Sequence, residues 1–567
     1  MKKAFLFLIL ITFFGFWIRI YNVGTAPSGM LIDEVSHGYN AYSILKTGKD
    51  EFGTAYPLTF KAFGDYKLPA YIYSSIPFIK TFGLNSFSVR LPSVIAGTLL
   101  IIAVYFLFRS LSFSFKNSLI AALITAGSPW TIILSRFAWE SNLALLFFTT
   151  GIIFLLRSLS KNNIYYLILT GFFFGLTWYS YITYRLITML LIIPFTIYLI
   201  KTRYIKIPSL LIIATAFLIV ISPLIPSLFS TSGTARLKQT SILSKTNTTG
   251  ALEEINESRI YCTEKSPKIL CYLNSNKILV IPRIITERYF EMFSLNFLFV
   301  KGEEARYLSI ANFGLLPIFL VPFFLFGFVK LIDKSAINGK DYIKIFLVLG
   351  LLISGLPSSL AGAPQRVQLS ALYPFVLILM MLGFIFLKEK IKINFIRNIY
   401  GSLTTILLIF FALFFLFNYT HVHLRKFEIT YNNYIAELMQ YISKQNKETQ
   451  IYIKDFFPHP IMYYAFYSKL DPKIYQQSVN FGLAAEDGFF KAVKLGNINI
   501  QKEPLAVISC KAKQNNTPTL IITDEKIPAK TLYIGMNTDK VLGLFYAYDS
   551  ESLINNQVSC NNLLKTN

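Results

Sequence analysis

The 567-residue chain is poor in the groups that bind metals, with four histidines and four cysteines, and it carries 30 acids against 54 lysines and arginines. No CxxC pair and no histidine cluster occurs, which argues against the usual thiolate–imidazole zinc modules. Alternating apolar and polar runs are missing, so the apolar segments do not read as a transmembrane barrel. No strong internal repeat is present, unlike transporters built from two related halves. Lys2-Lys3 and the apolar stretch after them could be a secretory leader. The run is long, and no small-x-small cleavage site precedes Pro27, so an uncleaved first span is expected.

What the chain does have is hydrophobic length. Of its residues 54% are hydrophobic, and the mean hydropathy is +0.51. The apolar residues gather into runs near the ~20 residues that cross a bilayer as a helix, and only helices or closed barrels satisfy the backbone there. Eleven spans are expected, at about 4–20, 87–108, 117–135, 140–157, 163–181, 184–200, 207–228, 308–330, 342–357, 367–387 and 397–418. The net charge of +24 first suggests nucleic acid. Its distribution points elsewhere, because Lys2, Lys3, Arg109, Lys116, Lys201, Arg203, Lys388 and Lys390 all fall in loops on one side. That is the positive-inside pattern of a protein whose partner is the lipid bilayer. It places the N-terminus in the cytosol, and the first loop and the tail outside.

The expected division is a transmembrane domain over 1–418, with outer loops at 21–86 and 229–307, and an extracytoplasmic α/β domain over 419–567. Asp33 to Leu45 reads as a helix, Thr47 to Gly53 as a turn and Ala70 to Phe82 as an interfacial helix. Ser241 to Thr249 reads as mobile. In the tail, strands are expected at 450–454, 505–509, 519–523, 530–534 and 541–546, and helices at about 426–446 and 459–468. Cys262, Cys271, Cys510 and Cys560 all fall in outer segments, where disulfides persist. Cys262 with Cys271 and Cys510 with Cys560 are the expected pairs, with free thiols as the alternative.

Five outer groups carry charge, where ionisable residues are costly and often functional. Asp33-Glu34 reads equally as a general base or metal ligand and as a helix N-cap. Asp65-Tyr66-Lys67 offers a cation for a phosphate, or a snorkelling lysine. Arg136 and Glu140, four apart, could pair on a helix start or belong to a site. Tyr181 and Tyr184 fit an aromatic belt, whereas Arg185 beside them, like Arg366 after Pro364, is a cation on the side that should be poor in them. A divalent metal between Asp33 and Glu140 is compatible with the pattern, although no motif requires a metal or other cofactor.

Arg19-Ile20, Ile32-Asp33-Glu34, Asp65-Tyr66-Lys67-Leu68-Pro69, the run from Phe82 through Arg90-Leu91-Pro92 to Ser93, and Ser135-Arg136 together resemble the GT-C glycosyltransferases, in particular the protein mannosyltransferase and lipid A aminoarabinose transferase group. The likeness covers about residues 1–200, and residues 357–366 loosely. It implies a polyprenyl-phosphate sugar donor, inverting transfer to an extracytoplasmic protein, lipid or glycan, Asp33 as catalytic carboxylate and Lys67 on the donor phosphate. Glu140 with Arg136 matches the acid–Arg pair of the family's second outer loop, Arg366 resembles a late-loop basic residue, and Arg185 and Arg366 would join Lys67 in steadying the phosphate charge. The usual element has an acid directly before Lys and two prolines after it. Here Tyr66 intervenes and Leu68 replaces the first proline. A lipid-linked-substrate flippase and a non-catalytic surface-assembly protein are the competing readings.

Overall fold

In the computed structural model apolar helix lies in each of the expected runs, in that of 308–330 only from Ile318 onward. The model describes residues 2–549 except 64, 162, 231–254, 265, 304–309, 311–312, 333–340, 424–432, 484–489, 502, 515–517, 527–530 and 537–542. Among the described residues, seven helices are long and apolar enough to cross a membrane, and eight if the bent pair Phe115–Gly127 and Pro129–Arg136 counts as one span. Phe5–Ile20, Ile164–Ser180 and Ile318–Ile332 are apolar but shorter. The run at 117–135 is not one straight helix: the pair is bent by 52°. Pro129 causes the break, because a proline pushes the residue before it out of helical geometry, and Ser128 is extended at φ −74 and ψ 130. The backbone N–H of Trp130 and the hydroxyl of Ser128 both donate to the Leu315 carbonyl.

The chain folds as two compact units. The first, Met1–Tyr21, Leu68–Tyr71 and Pro92–Tyr419, holds most of the apolar helices. Among them are α1 (Lys2–Ile20), α5 (Phe115–Gly127), α6 (Pro129–Arg136), α7 (Glu140–Ser160), α8 (Ile164–Ser180) and α9 (Thr183–Lys201). Small residues let such helices approach closely. A Cβ on Gly383 would lie 1.9 Å from the Phe323 carbonyl oxygen, so the helices Val321–Ile332 and Tyr373–Lys390 pack backbone to backbone there. Arg19 is fully buried at the end of α1, and its guanidinium donates to Ser135, Gly15, Ala126, Thr125 and Thr131. The expected Cys262–Cys271 disulfide is present, with Cα atoms 5.6 Å apart.

The second unit is Asn22–Lys67, Ile72–Leu91 and Thr420–Asn567. The two units meet in the chain at Tyr419 and Thr420, and most of the first outer loop groups with the tail. This unit holds α2 (Ile32–Thr47), the hairpin β1 (Phe60–Ala62) and β2 (Asp65–Lys67), and most of α3 (Pro69–Phe82). The tail forms a seven-stranded sheet in the order β4-β5-β6-β3-β7-β9-β8. Its strands are β3 (Gln450–Lys454), β4 (Val479–Phe481), β5 (Ala492–Leu495), β6 (Ile498–Gln501), β7 (Thr519–Thr523), β8 (Thr531–Met536) and β9 (Gly543–Asp549). β3 is parallel to both β6 and β7, and the remaining pairs are antiparallel. β7 is buried along its whole length, as a strand covered on both faces should be.

One expected strand is a helix. Leu505–Ser509 forms the first half of Leu505–Gln514, started by Pro504, whose carbonyl accepts from Val507 and Ile508. A short apolar run does not distinguish the two states. Here Leu505 and Ile508, one turn apart, pack on Tyr452 and Ile521 of the sheet. The helices Asn433–Ser443 and Pro460–Tyr467 lie where expected. Ser241 to Thr249, the start of the 426–446 helix and Cys560 lie outside the described residues. Cys510 is buried.

Candidate active site

In the second unit, α2 splits the acid pair. Its N-cap is Leu31, so Asp33 is not the cap; the side chain of Glu34 instead accepts from the Leu31 backbone N–H at 3.1 Å. Glu34 is fully buried and takes two bonds from Arg90, Nε to Oε1 and Nη2 to Oε2, both 2.9 Å. The other Arg90 donors go to the carbonyls of Val23, Pro27 and Gly29. All five guanidinium N–H groups therefore have acceptors, and the pair ties residues 23–31 to the helix starting at Ser86. Glu34 and Arg90, candidates for the site, hold the loop and the helix start in place.

Asp33, one residue earlier, keeps 47% of its side chain exposed and accepts from Lys67 Nζ at 2.6 Å. Lys67 ends β2 opposite Phe60 and is 8% exposed. Its charge is thus aimed by a short hairpin across 34 residues of sequence. Tyr66 is half-buried, and Asp65 contributes its backbone to the same strand.

Tail helices brace α2. The Tyr463 hydroxyl donates to the Met30 carbonyl at 3.0 Å, and that of Tyr39 to Leu470 at 3.2 Å. A Cβ on Gly38 would lie 2.6 Å from Val89 and 2.7 Å from Phe466 side-chain atoms, so only glycine fits without movement. Further along, buried Glu51 accepts from Asn40 at 2.9 Å and from the Tyr475 hydroxyl at 3.4 Å. Burial raises the Glu51 carboxyl from 4.5 to about 8; Asp50 adds to the rise, and the bonds from Asn40 and Tyr475 oppose it. Burial also lowers the imidazole of His459 to about 4, with Lys491 acting in the same direction and Asp33 and Asp455 against it. Neither Glu51 nor His459 was marked by a motif. His459, one of only four histidines and set between two prolines, offered the better signal.

Glu51 sets a stability prediction. The fold keeps its proton up to about pH 8, while an unfolded carboxyl with the ordinary value of 4.5 has lost it. The stability due to neutral Glu51 is therefore complete below about pH 4.5 and is lost as pH rises towards 8, at up to ~1.4 kcal/mol per pH unit. Unfolding of the detergent-purified chain between pH 5 and 8 should show this slope, and Glu51→Gln should flatten it. Equal slopes in the two proteins would exclude the assignment.

The remaining candidates lie in the first unit. Arg136 ends α6 and Glu140 starts α7, so they are not one turn apart on a common helix as the spacing suggested. Arg136 donates to the carbonyls of Ile18, Arg19 and Tyr21, capping the negative end of the α1 dipole. Glu140 is half-buried. Arg185 gives Nε and Nη2 to the Trp178 carbonyl, both at 3.2 Å. Tyr181 and Tyr184 are buried, and the Tyr184 hydroxyl bonds Ser370 at 3.1 Å. They are core residues rather than belt residues. Arg366 is fully buried against Glu303, Nε to Oε2 at 3.1 Å, and it also donates to the Pro129 carbonyl. Its guanidinium thus already has an internal anion, and Glu303 carried no motif. Among the described residues no group of three or more His, Cys, Asp or Glu side chains converges as a metal site.

Residues 69–226 match the family model for dolichyl-phosphate-mannose-protein mannosyltransferase. ArnT from Cupriavidus metallidurans superposes with a TM-score of 0.52 in the apo state and 0.56 bound to undecaprenyl phosphate, at 10% and 9% identity, with 96% of this chain and 98% of that chain covered. The archaeal oligosaccharyltransferase AglB from Archaeoglobus fulgidus, in complex with an inhibitory peptide and a dolichol-phosphate, superposes at 0.50 and 13% identity, over 82% of this chain and 63% of that one. A comparison with curated protein sequences finds no match. The chain is thus a multi-pass membrane protein with the fold of ArnT, and residues 69–226 within it match the mannosyltransferase family model.

Proposed function

We propose that the chain is an integral membrane glycosyltransferase that moves a sugar from a polyprenyl-phosphate donor to an extracytoplasmic acceptor, with inversion. The observation that carries this is the half-exposed Asp33 carboxylate held 2.6 Å from the Lys67 ammonium, beside an acid, Glu34, locked into structure. Lys67 gives its charge to the donor phosphate, and Asp33 takes the proton of the acceptor hydroxyl or amine. The acceptor atom bonds the anomeric carbon from the face opposite the phosphate. The carbon–oxygen bond to phosphate breaks, and polyprenyl phosphate leaves with the electron pair. Glu140 and Arg185 stay as candidates from sequence for orienting the acceptor and steadying the phosphate. The Cys262–Cys271 bond supports an oxidising, extracytoplasmic side for the segment that carries it, and the basic loops support a cytosolic N-terminus.

The test is transfer from a polyprenyl-phosphate hexose by the purified, lipid-reconstituted chain. A charge-assisted contact contributes about 1.5–3 kcal/mol, so Lys67→Met should lower kcat/KM for the donor about 10- to 100-fold, mostly through KM. An unchanged KM would remove Lys67 from the phosphate site.

A further inference from the structure

The second unit contains a cleft that the transfer chemistry above does not use. Its enclosed cavity has a volume of about 10 Å³, and Glu51, Phe63, His459 and the rings of Phe52, Phe481 and Phe490 are among its lining. That is room for one water-sized group. Phe52, Phe481 and Phe490 form a three-ring cluster with centroids 5.1–6.0 Å apart, and Phe481 is exposed. His459 lies over Phe63 with ring centroids 3.9 Å apart.

Two features indicate that this wall is placed for a ligand. His459 and Phe63 both hold left-handed backbones, at φ 53 and φ 57, a conformation that costs a non-glycine residue and collects at binding sites. For His459 the strain is compounded, because a residue before proline favours extended geometry. The Nδ1 of His459 is buried without a hydrogen-bond partner among the described residues, which is costly unless something fills it. His459 also lies close enough to Asp33 to feel its charge.

We infer that this cleft is an acceptor subsite for a neutral, hydroxylated sugar ring, one of whose hydroxyl groups enters the cavity beside His459 while its C–H face lies on the phenylalanine rim. The inference rests on the transferase reading only in naming the ring an acceptor. Aromatic faces favour the apolar side of a sugar, and the half-buried imidazole with its buried Nδ1 and the buried carboxyl suit a hydroxyl. Burial keeps both the His459 imidazole and the Glu51 carboxyl neutral near pH 7, while the Lys61 ammonium stands outside the cavity lining, over the rim, 4.7 Å from the Phe490 centroid and 5.2 Å from that of Phe52.

The experiment is ligand-observed saturation-transfer NMR on the full chain in lipid nanodiscs at pH 7. The probes are methyl glucoside, glucosamine, glucose 6-phosphate and a Ser/Thr-rich peptide. Methyl glucoside should bind best. Phe490→Leu, which keeps apolar volume but loses the ring face, should weaken it about fivefold. His459→Ala should weaken it further, and His459→Asn should restore part of the loss, all at unchanged melting temperature. Asp33→Asn should leave binding intact. If transfer never occurs while this pattern holds, the sugar site stands and the enzymatic reading falls. Preference for another probe, or glucoside binding indifferent to both Phe490→Leu and His459→Ala, overturns the subsite.

Discussion

Asparagine in place of Asp33 is expected to lower transfer from a polyprenyl-phosphate hexose by about 10³-fold in kcat, within the range a general base contributes, while the chain folds and reconstitutes as before. The two effects separate because of where Asp33 stands. It lies in the first turn of α2 but is not the cap, and nearly half of its side chain is in water. Its part in the helix dipole is worth about 0.3–1 kcal/mol, and although Lys67 in its pair is largely buried, the side-chain oxygen of asparagine still gives that ammonium an acceptor. Asparagine keeps the shape and can still accept from Lys67, but it cannot take a proton. The decisive measurement is single-turnover transfer with donor saturating, alongside a thermal melt. Wild-type turnover with an unchanged melt would sink Asp33 as the base.

Glu34→Gln and Arg90→Met should do the reverse, each costing about 3–5 kcal/mol of stability, as expected when one partner of a buried ion pair is removed. Methionine at 90 leaves a buried carboxylate and takes the donors from Val23, Pro27 and Gly29. Glutamine at 34 leaves the guanidinium without its anion. Denaturant unfolding in detergent measures both. The double variant should cost less than the sum of the two singles, since the second change removes the group that the first stranded. Strict additivity, or a loss below ~1 kcal/mol, would show that the pair does not hold the loop. Two neighbouring acids of similar chemistry thus have opposite expected phenotypes.

That separation was only half legible in one dimension. Asp33 and Lys67 were marked by their place after a span and before a proline. Arg90 was marked by the Arg-Leu-Pro run, but its role depended on Glu34, 56 residues away. Arg366 stood out as a cation on an outer loop that should be poor in them; its partner Glu303, 63 residues earlier, is too far along the chain for spacing to reveal. The aromatic belt assigned to Tyr181 and Tyr184 failed for the same reason, since burial by Ser370 and its neighbours is not a local property.

The sequence alone determined the positions of the apolar helices, the likeness to GT-C enzymes, the Cys262–Cys271 pair and the helix carrying Asp33. Each depends on runs, spacings or short closures that involve neighbouring residues. Tertiary structure alone decided which charges are occupied and which face water, that most of the first outer loop and the tail form one unit, and that His459 and Glu51 share a cleft. Those outcomes depend on contacts between segments tens to hundreds of residues apart, where a side chain's surroundings, not its type, set its charge and its partner.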